Sequence, residues 1–312
     1  MRRLRSHGID YQHGDVRNVE DLEAVGAVNL IIDAAAEPSV HAGYGADPRY
    51  LIDSNLGGVL HCLELARRYR AGFILLSTSR VFPIAALRNL PLKESQTRLD
   101  LDPGFSGKGV CWHGIEQDFP LEGARSLYEA TKLSAENFVV EYVQTYGIKA
   151  QILRCGVIAG PHQMGKVDQG FIALWAAAHV YGFALRYSGF GGHGKQLRDV
   201  LHIDDLLNLV QCLVEHFEDP VRKLLYVAGG GRFSNISLLE LTALCESAAG
   251  RNISVGSVPE TRDADIPFFI ADNRRLEADL GWTPKIPVST CVADIMAWLE
   301  AESAQLRPYF TT

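Results

Sequence analysis

The chain has 312 residues, 47% hydrophobic and 21% charged, enough to bury a sizeable core in two lobes or one large α/β unit. A formal net charge of −7 and the lack of any block of like charges leave no footprint for a polyanion, so nucleic acid is not an expected partner. Six cysteines lie scattered without a CxxC pair, several inside apolar runs where a thiol packs as a small hydrophobe, which suits a reducing, cytoplasmic setting.

The opening "MRRLRSHGIDYQHGD" is basic but has no apolar core, so it is not a secretory signal. Short β-like runs then alternate with helical patterns. "VNLIIDAAA" (Val28 to Ala36) reads as a strand, residues 55–70 as a helix and "FILLS" (Phe73 to Ser77) as a strand. A helix over 127–146 and a strand in "KAQILRCGVI" (Lys149 to Ile158) follow. Continuous apolar strands need cover on both faces, which predicts a doubly wound parallel sheet. After about Gly156 loops lengthen and prolines recur, so a first domain is expected over 1–156 and a smaller α/β substrate lobe over 157–312, with segments returning to the first. "GFIALWAAAHVYGFAL" (Gly170 to Leu185) is too short and interrupted to cross a bilayer, and no membrane association is expected.

A G-x-G-x-x-G pattern occurs in "GFGGHG" (Gly189 to Gly194), but it carries meaning only before a helix N-terminus that receives a pyrophosphate. Here "KQLRDVLHIDD" follows with extended character, so the pattern is read as a decoy. No metal site is expected.

Chemistry is carried by "SLYEATK" (Ser126 to Lys132), which sets Tyr128 and Lys132 one helical turn apart. A phenol is a poor base at neutral pH, and an ammonium nearby stabilises its ionised form. The bland reading is a lysine snorkelling past a half-buried tyrosine. Weighing against it is "LLSTSRVF" (Leu75 to Phe82), a strand ending in a hydroxyl cluster, since catalytic groups in open α/β sheets sit at the carboxyl ends of strands. Thr78 is placed to bond the same substrate oxygen.

With "HGDVRNVEDL", "SNLGGVLHCLELAR", "STSRVF", "YEATK", "VDQGF", "GHGKQLRDVLHIDDL" and "ADLGWTPK" in order, nearly the whole chain resembles the extended short-chain dehydrogenase/reductases of the NAD-dependent sugar-nucleotide epimerase/dehydratase family. The resemblance implies a Rossmann-like sheet, a catalytic set of Thr78, Tyr128 and Lys132, and NAD contacts from Asp15, Val16, Ala34, Ala35, Ala36, Asn55, Tyr128 and Lys132. It also implies that Arg198 grips a substrate diphosphate, with Gln169, Gln196 and His202 near the nucleotide. Within the family it is strongest to enzymes that epimerise C2 of a CDP-linked 3,6-dideoxyhexose. The implied activity is epimerisation of a nucleotide-linked deoxysugar through a keto-sugar, by an enzyme expected to be a homo-oligomer. A reductase or dehydrogenase of the same superfamily and a non-catalytic sugar-nucleotide binder remain open alternatives.

The departures are informative. Asp33 stands where the family has a histidine, "VFP" (Val81 to Pro83) replaces "VYG", and Ser79 and Arg80 replace the carboxylic pair that a dehydratase uses, which argues against dehydration. "RCGVIAGP" (Arg154 to Pro161) replaces the family's "RxxNxYGP". The strand, Gly-rich turn and helix that open such a sheet are not recognisable, so NAD binding by the chain as written is expected to be weakened.

Overall fold

The run from Gly72 to Thr78 is apolar on both alternating faces, which suits a strand covered by helices on each side. The computed structural model describes residues 4, 6–39, 43, 47–166, 169–217, 219 and 222–311, and in it that run lies inside a four-stranded sheet. In chain order the elements that position the site are β1 (Leu30–Asp33), α1 (Gly58–Tyr69), β2 (Gly72–Thr78), α2 (Leu127–Tyr146), β3 (Ala150–Cys155), β4 (Val157–Ala159) and α3 (Phe171–Tyr181). They continue as β5 (Leu197–His202), α4 (Ile203–Glu215), β6 (Leu225–Ala228), β7 (Asn235–Ser237), α5 (Leu238–Ala249), β8 (Phe268–Phe269) and α6 (Val288–Ala301).

The first sheet has the order β1-β2-β3-β6 with every neighbouring pair parallel. Phe73 and Leu75 of β2 pack with Val59 and Leu63 of α1 and Ala135 and Val139 of α2. Ile74, pointing the other way, packs with Leu206, Leu209 and Leu213 of α4. Burial on both faces is the doubly wound arrangement that the apolar strands imply. The second sheet centres on β5, which pairs antiparallel with β7 and parallel with β8 and β4.

α2 spans residues 127–146, as the sequence suggests, because both its ends are written locally. Ser126 and Glu129 form a reciprocal capping box, and Gly147 stops the helix in the left-handed region at φ 68°. The helix expected over 55–70 differs at its start: Asp53–Gly57 is a π-helical turn and α1 begins at Gly58. Asn55, buried within that turn, accepts a hydrogen bond from Glu37 N at 2.7 Å and donates to Glu37 O, so it pins the chain that leaves β1. The strand expected over 149–158 splits at Gly156. A Cβ at Gly156 would lie 2.5 Å from Asp199 Oδ1, so a buried carboxylate on β5 occupies the space a side chain would need. The "GFGGHG" segment forms a short turn at Phe190–Gly192 and leads into strand β5, not a helix. "GFIALWAAAHVY" supplies α3, which is buried against α5 and α6, and among the described residues no helix is long and apolar enough to cross a membrane.

Asp199 accepts from Ala271 N at 3.0 Å and Gly231 N at 3.1 Å, yet burial pushes its carboxyl up to about 7 from an ordinary 3.8. The folded chain then holds a proton there that the unfolded chain gives up. That contribution to stability is complete below about pH 4 and is lost as pH rises toward 7. Denaturant melts across this window are expected to show a falling contribution that Asp199→Asn removes, asparagine keeping the acceptor toward Ala271 and Gly231.

Candidate active site

The carboxyl end of β2 brings three of the candidate residues together. Thr78 is the last residue of the strand, and its Oγ1 accepts from Arg80 N at 3.1 Å. The same side chain faces the Tyr128 phenol, which stands in the first turn of α2. Lys132, one turn on and only 3% exposed, donates from Nζ to Leu76 O at 3.1 Å. Tyr128 is also buried. Burial pushes the phenol up, opposed by the facing Thr78 hydroxyl and by the charge of Arg80. Burial draws the Lys132 ammonium down, opposed by the negative charges of Asp33 and Glu136.

Around β1 the chain is arranged for close approach. Ala34 and Ala36 are exposed and carry nothing beyond Cβ, while Asp33 is buried and accepts from Ala35 N at 3.0 Å. Burial raises the Asp33 carboxyl, and the nearby Lys132 charge acts against that rise. Asp15 caps its own turn: it accepts from Arg17 N at 2.9 Å and pairs with the Arg17 side chain, which pulls the exposed carboxyl down to about 2. Val16 packs its side chain against Gly58 at the start of α1, and its carbonyl bonds His61 Nδ1 at 2.8 Å.

The residues assigned to substrate are spread along a second stretch. Arg198 on β5 donates to Leu197 O at 2.8 Å and Ile266 O at 2.5 Å, both backbone carbonyls. Burial, together with the like charge of Arg80, lowers its guanidinium to about 9. Such a cation gains from an anion brought to it. Gln196 donates to Ser188 O at 3.1 Å while its Oε1 is buried without a partner among the described residues. His202 is turned to structural use: its Nδ1 accepts from Asp204 N at 3.1 Å, capping α4, and Asp294 lies 3.6 Å from Nε2. Gln169 is exposed in a small bridge with Lys166, and the preceding Val167 and Asp168 of the "VDQGF" motif lie outside the described residues.

Four charged groups at this site had no role in the sequence reading. Glu136, one turn beyond Lys132, accepts from Ser77 Oγ at 2.5 Å and from Arg154 at 2.7 Å, making a buried ion pair under the active end of β2. Arg80 reaches Glu129 Oε1 at 2.5 Å. The helical spacing of Glu136 from Lys132 was a readable signal, whereas Arg154 and Arg80 find their partners only through the fold. Among the described residues one group of metal-ligand type, Cys111, Glu116 and Asp272, is filled by a guanidinium: Arg274 donates to Cys111 Sγ at 3.3 Å, Glu116 at 3.1 Å and Asp272 at 2.5 Å.

Comparison with known proteins converges on one group. The family profile described as "NAD dependent epimerase/dehydratase family" matches residues 2–229. CDP-paratose 2-epimerase of Salmonella typhi is 26% identical over 303 residues, covering 93% of this chain and 84% of the relative. UDP-glucose 4-epimerase of Azospirillum brasilense is 25% identical over 277 residues, 80% of this chain and 76% of the relative. The structure of Thermus thermophilus UDP-glucose 4-epimerase in complex with NAD superposes with a TM-score of 0.74 at 22% identity, over 94% of this chain and 85% of that one. At that identity the structural likeness concerns the fold.

Proposed function

The chain belongs to the NAD dependent epimerase/dehydratase family, and from that membership we propose that it epimerises a nucleotide-linked deoxysugar, with CDP as the nucleotide. The observation that carries the reading is the Tyr128 phenol facing the Thr78 hydroxyl at the carboxyl end of β2, with the buried ammonium of Lys132 a turn away. The similarity to CDP-paratose 2-epimerase supports CDP and a deoxysugar.

The residues fit a nicotinamide cofactor. Lys132 has three N–H donors and gives one to Leu76 O, which leaves donors for ribose hydroxyls, and the small Ala34 to Ala36 side chains let a ligand approach the backbone after β1. Asp15, Val16, Ala34, Ala35, Ala36, Asn55, Tyr128 and Lys132 would hold it. Bound there, NAD supplies a reversible hydride acceptor. Tyr128 Oη takes the proton of a sugar hydroxyl and later returns it, while Thr78 orients that hydroxyl. Arg198 holds the diphosphate so that the sugar stays free to turn over in the site. Neither Ser79 nor Arg80 is a carboxylic acid, so the residues after Thr78 do not supply the acid and base that loss of water requires.

Incubation with NAD and a CDP-linked 3,6-dideoxyhexose, followed by NMR of the sugar, is expected to show inversion at C2 without free reduced cofactor. UDP- and dTDP-sugars run in parallel decide the nucleotide. Accumulating free reduced cofactor would instead mark a dehydrogenase, and tight binding without turnover a non-catalytic binder. Arg198→Ala is expected to weaken sugar-nucleotide binding by roughly 1.5–3 kcal/mol, the range for a hydrogen bond to a charged group. Calorimetry with unchanged affinity would remove Arg198 from the diphosphate site.

A further inference from the structure

We propose that Arg88 is a positioning residue for Arg198: it holds residues 262–266 in place, and that segment in turn aims the Arg198 guanidinium at the substrate diphosphate. The proposal rests on the assignment of Arg198 to the diphosphate and names what keeps that cation ready.

Three arginines from separate elements converge on the main chain of residues 262–266. Arg88, at the end of the short helix Ile84–Arg88, donates from Nη2 to Arg262 O at 2.6 Å and Asp263 O at 3.0 Å, and from Nε to Asp265 O at 2.9 Å. Arg80, in the turn Ser79–Val81, donates to Ala264 O. Arg198 donates to Ile266 O at 2.5 Å. Every carbonyl from 262 to 266 thus accepts from a guanidinium. Among the described residues the one backbone N–H that reaches any of them is that of Asp265, 3.0 Å from Arg262 O. This stretch belongs to no helix or strand, so the arginines stand in for the ladder that would otherwise fix its carbonyls. Its flanks are tied separately: Phe190 N donates to Thr261 Oγ1 at 2.8 Å before it, and Leu197 N donates to Pro267 O at 2.9 Å after it.

The departure "VFP" is what delivers Arg88. Pro83, at φ −62°, precedes the helix Ile84–Arg88, whose Leu87 packs with Ile266, Phe268 and Phe269, while Phe82 stacks on Phe269 at 6.1 Å. Arg88 itself is exposed, so its three bonds hold the segment without burying a charge. Burial of Ile266 anchors the last residue of the segment, and Arg88 fixes the stretch before it. The consequence reaches Arg198 through Ile266 O. A guanidinium has five N–H donors in one plane, and Arg198 gives one to Leu197 O at 2.8 Å and one to Ile266 O, which leaves about three for phosphate oxygens. Leu197 O lies on β5 and is fixed with the strand. Ile266 O is fixed only as far as its segment is, so Arg88 decides how well the plane is held. Both acceptors are neutral, and they orient the cation without neutralising it. A side chain already ordered in its binding rotamer loses less freedom when the anion arrives.

The test reads binding without turnover. The full chain is titrated by calorimetry with CDP, UDP and dTDP, and the tightest of the three is carried through Arg88→Met, Arg88→Lys, Arg198→Ala and the double variant Arg88→Met with Arg198→Ala. Arg88→Met is expected to weaken binding by roughly 3- to 10-fold, what ordering one long side chain contributes. Arg88→Lys, which brings three N–H donors to the same carbonyls, should recover part of the loss. In the Arg198→Ala background Arg88→Met should change nothing further, because the cation it acts through is gone. Arg88→Gln carries the same test if methionine does not fold, as judged by far-UV circular dichroism. Unchanged affinity in Arg88→Met, a lysine variant no better than methionine, or full additivity with Arg198→Ala would overturn the proposal. The diphosphate reading fails by a different sign: unchanged affinity in Arg198→Ala, or no binding of any of the three nucleotides, removes both readings. A loss in Arg198→Ala with none in Arg88→Met overturns the positioning role alone.

Discussion

Replacing Tyr128 by phenylalanine is expected to lower turnover by about 10²- to 10⁴-fold, the usual worth of a positioned acid–base group, with sugar-nucleotide affinity nearly unchanged. The substitution removes one oxygen and keeps the ring in its buried place, so packing against the start of α2 survives. The oxygen faces Thr78, whose hydroxyl still accepts from Arg80 N at 3.1 Å. Substrate diphosphate is assigned to Arg198 on β5, which the change does not touch. The loss should therefore fall on kcat and leave KM close to its parent value. Steady-state kinetics beside calorimetry separate the two. A variant that retains full turnover would show that Tyr128 does not move the proton.

Legibility in the sequence followed the range of the interactions. α2 was readable to the residue because its start is the Ser126–Glu129 capping box and its stop is Gly147, all local. Tyr128 and Lys132 were readable because one helical turn separates them. Strand Lys149 to Ile158 was read as continuous because its apolar pattern runs through Gly156, and the break is imposed by Asp199, distant in the chain. His202 shows the same limit from the other side: the motif around it suggested a nucleotide contact, and only the fold shows that the side chain also caps α4 through Asp204 N and lies 3.6 Å from Asp294 of α6. Asp33 and Arg80 were visible only as departures from a pattern. What they do depends on the strand ends that bring Lys132 to one and Tyr128 to the other.

Removing Glu136 is expected to be the most destabilising single change near the site, costing about 3–5 kcal/mol, as breaking one partner of a buried ion pair does. Glu136 accepts from both Arg154 Nε at 3.0 Å and Arg154 Nη2 at 2.7 Å, and from Ser77 Oγ at 2.5 Å. Without the carboxylate, the Arg154 guanidinium keeps a bond to Gln117 O at 3.3 Å and the face of Phe82, neither of which neutralises a buried charge. Denaturant unfolding of Glu136→Leu should show this loss. The double variant Glu136→Leu with Arg154→Met, which buries two apolar groups of similar volume and no charge, should recover most of it. Activity should not recover with stability. Glu136 also faces Lys132 and ties α2 to Ser77 on β2, and those two elements set the distance from Tyr128 to Thr78. A stable double variant with reduced turnover would separate the two roles of the carboxylate, one in holding the fold and one in setting the register of the catalytic pair. Recovery of both would mean that the hydrophobic contacts of α2 alone fix that register.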